Sequence, residues 1–379
     1  LLPPWSPPRQ RAAMLYVVQR YRLRALPPRR GHRPRLCRRL PRGAGRGGGN
    51  ALPRDARHNR GRQPRPAPSR GGGMTRVRDL LPEGARRGAA ATGTPRRFAL
   101  SSPTRMEGHV DGGRGKLTRD GIRIHDPEDF EGMRRAGRLA AEILDRVTPL
   151  VAPGRTTGEI DAAITRWVEE AGATSATIGY KGYQHASCIS VNHVVCHGIP
   201  GPKVLKDGDI LNIDVTVILD GWFGDTSRMF VAGKMPRKAE RLVQVTHDAL
   251  MKGIEAVRPG NTFGDIGHAI QSFVESQRMS VVRDFCGHGL GRVFHAPPNV
   301  LHYGRPGTGA VLEEGMFFTI EPMVNLGRPE TKVLADDWTA VTRDKSLSAQ
   351  FEHSVGVTAD GVEIFTLSPA GTFYPAYES

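Results

Sequence analysis

Two carboxylates lie inside apolar sequence runs, where an ionised side chain is costly unless a positive charge meets it. Asp214 belongs to the β-branched run Ile210–Leu219, and Asp225 belongs to the run Trp222–Val231 that follows it. Only Asp220-Gly221 separates the two runs. An Asp-Gly pair at such a place is typical of a two-residue β-hairpin turn. The sequence therefore predicts that both carboxylates belong to one antiparallel hairpin.

The predicted turn also fixes the register of this hairpin. It places Thr216 opposite Asp225 and Asp214 opposite Ser227. Side chains two positions apart share a face of a strand, so Asp214 and Asp225 become diagonal neighbours about 5–8 Å apart. Carboxylates this close repel, and one takes up a proton unless a cation lies between them. The alternative is a pair of solvent-facing acids, which the apolar neighbours disfavour.

Three further residues share the character of these two. Glu321 directly follows the apolar stretch Phe317–Ile320, Glu352 stands at the start of a late strand, and His288 lies between two glycines. Each of them alone would more often be a satisfied core or loop group. Together, four carboxylates and one imidazole predict an oxygen-rich site for two divalent ions, Mn, Fe or Co, with Zn as an alternative. The pattern thus favours a dinuclear-metal hydrolase.

Hydrophobic periodicity and turn signals predict an α+β domain over residues 126–379. Apolar residues recur at steps of three and four in four segments, which predicts helices from Asp126-Pro127 to about 152 and over about 157–172, 236–256 and 262–277. Short strands are predicted at about 187–192, 210–219, 222–231, 281–284, 316–324, 331–334, 338–342, 351–358 and 362–367. Because hairpin turns join strand pairs, we expect an antiparallel sheet and not a doubly wound parallel one.

The net charge of +16 is distributed unevenly along the 379 residues. Residues 1–125 contain 30 Lys and Arg against 6 Asp and Glu, whereas residues 126–379 contain 24 against 32. The predicted domain is therefore mildly acidic, which disfavours a specific nucleic-acid partner. No apolar run approaches the ~20 residues of a membrane span, and the four cysteines form no CxxC pair. We expect a cytoplasmic protein with reduced thiols and no membrane contact.

Residues 1–125 are rich in Arg, Pro and Gly and have no sustained apolar period. The first hundred residues hold 25 Arg and no Lys, a bias that indicates gene composition more than phosphate binding. We interpret this segment as a disordered extension, or as non-native translation upstream of an internal start such as Met106. The alternatives are a targeting segment and an RNA- or ribosome-binding arm.

The five candidate ligands occur in motifs that resemble those of methionine aminopeptidases. The motifs are Asn212-Ile213-Asp214-Val215-Thr216, Gly224-Asp225-Thr226-Ser227, Cys286-Gly287-His288-Gly289, Thr319-Ile320-Glu321-Pro322-Met323, Ser348-Ala349-Gln350-Phe351-Glu352-His353, Val195-Cys196-His197-Gly198-Ile199-Pro200 and Gly179-Tyr180-Lys181-Gly182-Tyr183. The resemblance covers about 126–368 and is to the short bacterial type I form. It implies the pita-bread fold, in which two pseudo-symmetric halves close a curved antiparallel sheet over a central dinuclear metal site, with helices outside.

The resemblance also implies a role for each ligand. It makes Asp214 a ligand of one metal, and Asp225 and Glu352 ligands that bridge both. His288 and Glu321 then complete the second metal site. A bridging water whose pKa the cations lower is the implied nucleophile, with Glu321 as its proton acceptor and shuttle.

Two histidines and a side-chain pocket complete the implied site. The resemblance places His295 at the scissile amide, where it stabilises developing charge, and makes His197 a residue that orients the substrate and takes part in proton transfer. The implied pocket for the methionine side chain consists of Tyr180, Tyr183, Cys188, Phe294 and Trp338. Aromatic and sulfur groups suit a soft thioether, so we expect Cys188 to be a pocket wall and not a nucleophile. Thr177 and Ala296-Pro297-Pro298 depart from the family pattern near the pocket and its rim.

The implied reaction is metal-dependent removal of the N-terminal methionine from nascent polypeptides, with a preference for a small second residue. The resemblance favours a monomer and leaves a transient ribosome contact open. One alternative is a Xaa-Pro peptidase of the same fold, which shares the five ligands. The other is a non-catalytic ribosome- or RNA-binding relative, which we would expect to have lost ligands.

Overall fold

The α+β class predicted from the sequence is confirmed in the computed structural model, which describes residues 115–372. Most of the predicted extension thus lies outside the described residues. In the described part, the helices are α1 (Asp129–Val147), α2 (Thr157–Glu170), α3 (Arg237–Glu255) and α4 (Phe263–Ser276). The last three lie within two residues of their predicted bounds. None of these four helices is long and apolar enough to cross a membrane.

The strands of the described region are short, and every paired strand is antiparallel to its partner. They are β1 (Lys116–Leu117), β2 (Arg123–Ile124), β3 (Thr174–Ser175), β4 (Ser187–Val191), β5 (Val194–Cys196), β6 (Asp209–Leu219), β7 (Trp222–Ala232), β8 (Ser280–Val281), β9 (Gly287–Gly289), β10 (Ala296–Val300), β11 (Phe317–Ile320), β12 (Met323–Asn325), β13 (Thr331–Val333), β14 (Ala340–Thr342), β15 (Ser348–Gln350), β16 (His353–Thr358) and β17 (Gly361–Ile364). Glycine- and proline-containing strands such as β9 and β10 carry no strand signal in the sequence.

The fold begins before the predicted domain boundary at residue 126. Strands β1 and β2 pair with each other, and the buried ring of His125 stacks on Phe317 with 4.2 Å between ring centroids. The carboxylate of Asp129 lies 3.2 Å from Nδ1 of His125 and also accepts the N–H of Asp126 at 3.3 Å. Helix α1 begins at Asp129, three residues after the start predicted at Asp126-Pro127.

The β6–β7 hairpin has the predicted register. Thr216 pairs with Asp225 and Asp214 pairs with Ser227. Strands β3 and β4 extend the sheet from β6, and helix α1 packs across β6 and β7. The helix approaches closely because Gly224 has no side chain: a Cβ there would overlap the carbonyl oxygen of Ala136. Helix α1 thus supports, from behind, the strand that carries Asp225.

The strand predicted over about 316–324 is interrupted at Glu321, and the strand predicted over about 351–358 begins only after Glu352. Glu321-Pro322 separates β11 from β12, and Phe351-Glu352 separates β15 from β16. Strand β11 pairs with β16 in a five-stranded sheet, whereas β12 pairs with β15 in a three-stranded one. The two interruptions lie opposite each other in the paired strands, and Pro322 accounts for the first because proline cannot continue a ladder. Glu321 and Glu352 therefore lie at the junction of two sheets.

The same order of elements occurs twice along the described chain. Helices α1 and α2 precede β3–β7, and helices α3 and α4 precede β8–β17. Helix α1 packs on β6 and β7, while α3 packs on β11, β12 and β15. A threonine begins α2 and another begins α4 through a capping box, Thr156 with Glu159 and Thr262 with Asp265. Each half therefore places a pair of helices against its strands.

A buried charge network joins α1, β7 and the end of the described chain. Asp145, near the end of α1, accepts a hydrogen bond of 2.8 Å from the guanidinium of Arg228 on β7. The hydroxyls of Ser368 and Thr372 each donate to the same carboxylate at 2.7 Å. Arg228 is only 6% exposed, so Asp145 supplies the countercharge for a buried cation.

We expect Asp145→Ala to lower the free energy of unfolding by about 3 kcal/mol, because it leaves the guanidinium of Arg228 buried without its partner. Equilibrium urea unfolding followed by circular dichroism measures the change. The matched control is Glu170→Ala, which removes a solvent-exposed pair with Arg146 and should cost less than about 1 kcal/mol. Equal costs for the two variants would contradict the role of the network.

Candidate active site

A cavity of about 280 Å³ opens beside the β6–β7 hairpin. All twelve residues that the sequence singles out line it: Tyr180, Tyr183, Cys188, His197, Asp214, Asp225, His288, Phe294, His295, Glu321, Trp338 and Glu352. They come from β4, β6, β7 and β9 and from the intervening loops. The fold therefore brings the candidate ligands, the two histidines and the pocket residues to one place.

The surroundings of His288 show that the ligand set fits a cation. Its Nδ1 lies 3.1 Å from the carbonyl oxygen of Gly289, and because a carbonyl only accepts, Nδ1 carries the ring proton. Nε2 then faces Oδ2 of Asp225 at 3.5 Å and Oε1 of Glu321 at 3.7 Å. Three acceptors that face one another repel unless a proton or a metal ion lies between them.

The ligand atoms are close enough to share an ion. In residues 115–372, Asp225, His288 and Glu352 each offer one ligand atom within 4.8 Å of the others. Glu321 reaches the same imidazole, and Asp214 lines the cavity from the strand paired with that of Asp225. Carboxylate oxygens and one imidazole nitrogen suit Mn, Fe, Co or Zn. The donor set thus fits the predicted metal site.

Burial and mutual repulsion perturb the acids of this cluster. Burial, and then the charges of neighbouring carboxylates, raise the pKa values of Asp214 and Glu352 well above their usual range. Burial also raises the pKa of Glu321 to about 7, although the charge of His288 opposes the shift. Burial alone would lower the pKa of His288, but the hydrogen bond to Asp225 and the two carboxylate charges outweigh it and raise the pKa. Raised pKa values favour the protonated forms of these acids, and a cation bound among them would lower those values.

Neighbouring polar groups hold the ligands in place. Thr216 donates its hydroxyl to Asp225 at 2.7 Å, as their opposed positions in the hairpin allow. Thr319 donates to Oε1 of Glu321 at 2.9 Å, and the amide of Gln350 donates to Oε2 at 3.3 Å. These supporting residues were not singled out from the sequence, although the hairpin register points to the first of them.

The backbone of Glu321 is also fixed. Its N–H donates to Nε2 of His302 at 3.1 Å. His302 is fully buried, and burial lowers its pKa to about 3, so the ring stays neutral and Nε2 remains an acceptor. This histidine follows β10, and no motif in the sequence distinguishes it from a core residue.

The two candidate catalytic histidines are buried, neutral and conformationally unusual. Burial lowers the pKa of His197 to about 4, and burial followed by the charge of His288 lowers that of His295 to about 2. Their φ angles are 56° and 60°, in the left-handed region that side chains other than glycine seldom adopt. Such strain concentrates at functional sites. The ring of His295 lies 4.2 Å from that of His288 between centroids.

The predicted side-chain pocket is aromatic and carries a thiol. The ring centroids of Tyr183 and Trp338 are 4.9 Å apart, and those of Tyr180 and Phe294 are 5.0 Å apart. Burial, and then the charge of Asp214, raise the pKa of the Cys188 thiol well above its usual range. A thiol that stays protonated is a poor nucleophile, which supports its interpretation as a pocket wall.

A hydrogen-bond chain from helix α2 supports this pocket, and sequence reasoning missed it. The buried carboxylate of Asp161 accepts the N–H of Ser187 at 2.9 Å and its hydroxyl at 2.7 Å, and its second oxygen lies 3.1 Å from Nδ1 of His185. The carbonyl of Ser187 accepts the hydroxyl of Tyr183 at 2.9 Å. Asp161 therefore fixes the start of β4, next to Cys188. The only signal in the sequence is an acid on the apolar face of a helix.

Further residues line the cavity that were not predicted as site residues. They are Thr177, Cys196, Thr216, Asp284, Phe285, Cys286, Met323 and Gln350. Most of them lie within a few positions of a predicted residue in the sequence, and Thr177 precedes the Gly179–Tyr183 loop. Cys188, Cys196 and Cys286 form no disulfide among the described residues.

We expect metal binding at about pH 7 to release protons, because the raised pKa values leave carboxyl groups protonated in the metal-free protein. Below its raised pKa, a carboxyl group holds a proton that competes with the metal ion for the same oxygen atoms. The affinity for Mn²⁺ should therefore rise as the pH increases through about 7. Titration calorimetry in two buffers of different ionisation enthalpy measures the released protons. Metal binding to the Glu321→Gln variant should release fewer protons. An affinity that does not change with pH, with no dependence on the buffer, would contradict this account.

Comparison with known proteins places this region of the chain in one peptidase family. The model of "Metallopeptidase family M24" matches residues 131–359. Methionine aminopeptidase of Rickettsia prowazekii is 58% identical over 257 residues, which are 68% of this chain and 99% of the relative. The enzyme of that name from Escherichia coli strain K12 is 54% identical over 248 residues, 65% of this chain and 94% of the relative.

A solved structure matches the fold in the same region. The crystal structure of the Rickettsia prowazekii methionine aminopeptidase gives a TM-score of 0.65 at 59% identity and covers 65% of this chain and 100% of that chain. The predicted pita-bread architecture is thereby confirmed, and the family implies the use of a divalent metal. The chain belongs to metallopeptidase family M24 and, within it, to the methionine aminopeptidases.

Proposed function

We propose that this chain removes the N-terminal methionine from nascent polypeptides by metal-dependent hydrolysis, preferring a small second residue. The observation that carries the proposal is the single cavity in which a metal-binding set, two neutral histidines and an aromatic, thiol-lined pocket meet. An apolar pocket with a few convergent polar groups is typical of a substrate site. The high identity to methionine aminopeptidases over nearly their whole length supports the same reaction.

Five residues would hold two divalent ions: Asp214, Asp225, His288, Glu321 and Glu352. When bound, such ions activate water at neutral pH and polarise the scissile carbonyl. Candidate identities are Co, Mn, Fe and Zn. The mutual repulsion of the carboxylates supports more than one cationic charge at this place.

Glu321 is the proposed proton acceptor and shuttle. Burial places its pKa at about 7 in the metal-free protein, near the value at which a carboxyl group both takes up and releases protons. Thr319 and Gln350 bind one oxygen each, so the carboxylate is oriented before the substrate arrives.

The histidines act on the substrate as neutral imidazoles. His295 would donate an N–H at the scissile amide, where negative charge develops on the carbonyl oxygen. His197, whose ring lies 6.1 Å from that of Trp338 between centroids, would orient the substrate and take part in proton transfer. The methionine side chain would lie against Tyr180, Tyr183, Cys188, Phe294 and Trp338.

We further propose that residues 126–379, together with strands β1 and β2 before them, form the catalytic domain, and that the segment before these strands is an extension or translation upstream of an internal start such as Met106. The family match over 131–359 supports this division. We also propose that the protein acts as a cytoplasmic monomer on the N-termini of nascent chains, with at most transient ribosome contact.

We expect the Mn²⁺- or Co²⁺-loaded protein to release free methionine from Met-Ala-Ser. Glu321→Ala should abolish release because it removes a ligand and the proton acceptor, and His295→Ala should lower kcat by about 100-fold. Glu314→Ala, at an exposed position outside the cavity, is the control. Residues 106–379 should be as active as the full chain.

Three outcomes would contradict the assignment. Cleavage of a Xaa-Pro peptide in preference to Met-Ala-Ser would point to a proline-specific peptidase. No release by a folded, metal-loaded protein would favour a non-catalytic relative. An inactive 106–379 protein that is folded would show that the extension has a role.

We expect Asp161→Ala to raise KM for Met-Ala-Ser several-fold with a smaller change in kcat, because the walls of the pocket lose their support while the ligands do not. Asp161→Asn keeps an acceptor for Ser187 and should largely restore KM. Glu169→Ala, an exposed change on the same helix, is the matched control. A folded Asp161→Ala protein with unchanged steady-state constants would exclude a positioning role.

A further inference from the structure

A tight loop at the rim of the cavity presents one lysine in a strained conformation. Lys181 has a φ of 46° and lies between Tyr180 and Gly182, whose φ is 88°. The loop is closed by hydrogen bonds: the N–H of Gly179 donates to the carbonyl of Tyr183 at 2.7 Å, and the N–H of Tyr183 donates to the carbonyl of Tyr180 at 2.9 Å. A non-glycine residue persists in this region only when its surroundings hold it there. The backbone of Lys181 is therefore held in place by the loop.

The ammonium group lies over an aromatic residue of the cavity. Its Nζ is 5.2 Å from the ring centroid of Tyr180, a distance typical of a cation–π contact. The same ring is 5.2 Å from that of His295 and 5.0 Å from that of Phe294. Burial is the largest cause of the lowered pKa of His295, and the charge of His288 is the second. The charge of Lys181 lowers this pKa further. The positive charge thus lies at the rim, near the group proposed to bind the scissile amide.

Lys181 is exposed, and no carboxylate of the described residues lies within ion-pairing distance of its ammonium. By contrast, each of the four exposed arginines of helix α1 lies within ion-pairing distance of an acid, as Arg135 does with Asp220. The chain from 126 onward carries a net negative charge. An unpaired cation in this setting attracts an anion that approaches the cavity.

We propose that Lys181 is a specificity-determining residue that favours substrates with an acidic side chain at the third position. The proposal rests on the proposed function, which places the methionine in the pocket and the scissile amide at His295. Because the ring of Tyr180 contacts both this ammonium and the ring of His295, we infer that the rest of the substrate leaves the cavity past Lys181. The second residue is small, so the third, about 7 Å farther along an extended chain, is the first that can place a carboxylate against the ammonium.

The test compares three amidated peptides, Met-Ala-Asp-Ala, Met-Ala-Asn-Ala and Met-Ala-Lys-Ala, with the metal-loaded full chain. Amidation removes the terminal carboxylate as a competing anion. We expect kcat/KM for the Asp peptide to exceed that for the Asn peptide by about two- to fivefold at low salt, mainly through KM, as for an exposed ion pair. The Lys peptide should be the poorest substrate. High salt should bring the Asp and Asn values together.

Variants assign the preference to this side chain. Lys181→Met should abolish it and Lys181→Arg should retain it. Lys238→Met, which changes the net charge equally on helix α3 away from the cavity lining, should leave it intact. Equal cleavage of the Asp and Asn peptides by the unaltered protein, or a preference that survives Lys181→Met, would overturn the proposal. No methionine release from any peptide would instead overturn the proposed function and this inference with it.

Discussion

Repulsion among four buried carboxylates is the constraint on which the rest of this structure depends. Asp225, Glu321 and Glu352 lie around the imidazole of His288, and Asp214 lines the same cavity. Burial and the charges of neighbouring carboxylates raise the pKa values of Asp214, Glu321 and Glu352. A fold that lacked cations at this place would gain by replacing these acids with apolar residues. The presence of these acids in a buried cavity is explained if divalent ions balance their negative charge.

The scaffold holds the acids against this repulsion with hydrogen bonds between distant parts of the chain. Thr226 donates to the carbonyl of Glu352 at 2.7 Å, and Ser354 donates to the carbonyl of Asp225 at 2.6 Å. These two bonds join β7 to the point at which β15 and β16 separate. The two strand interruptions lie opposite each other. The candidate ligands Glu321 and Glu352 therefore reach the β6–β7 hairpin although no continuous sheet joins them to it.

Charge and conformation change from the interior of the cavity to its rim. The ligands inside are anionic or protonated, the two histidines beside them are neutral, and an exposed lysine lies at the opening. His197, His295 and Lys181 all have positive φ. The groups that would contact the substrate backbone are thus held by strained loops, whereas the metal ligands lie on or next to strands. Such a division would let a metal site stay rigid while the rim contributes to the proposed substrate preference.

Local features of the sequence were sufficient for the helices, for the β6–β7 register and for the opposition of Thr216 and Asp225, because an Asp-Gly turn and apolar periodicity act over a few residues. The motifs further identified the residues that line one cavity. The strand breaks at Glu321 and Glu352 and the support of the pocket by Asp161 were decided by tertiary structure. Each depends on a partner far away in the sequence, and no local pattern encodes which of two sheets a strand will join.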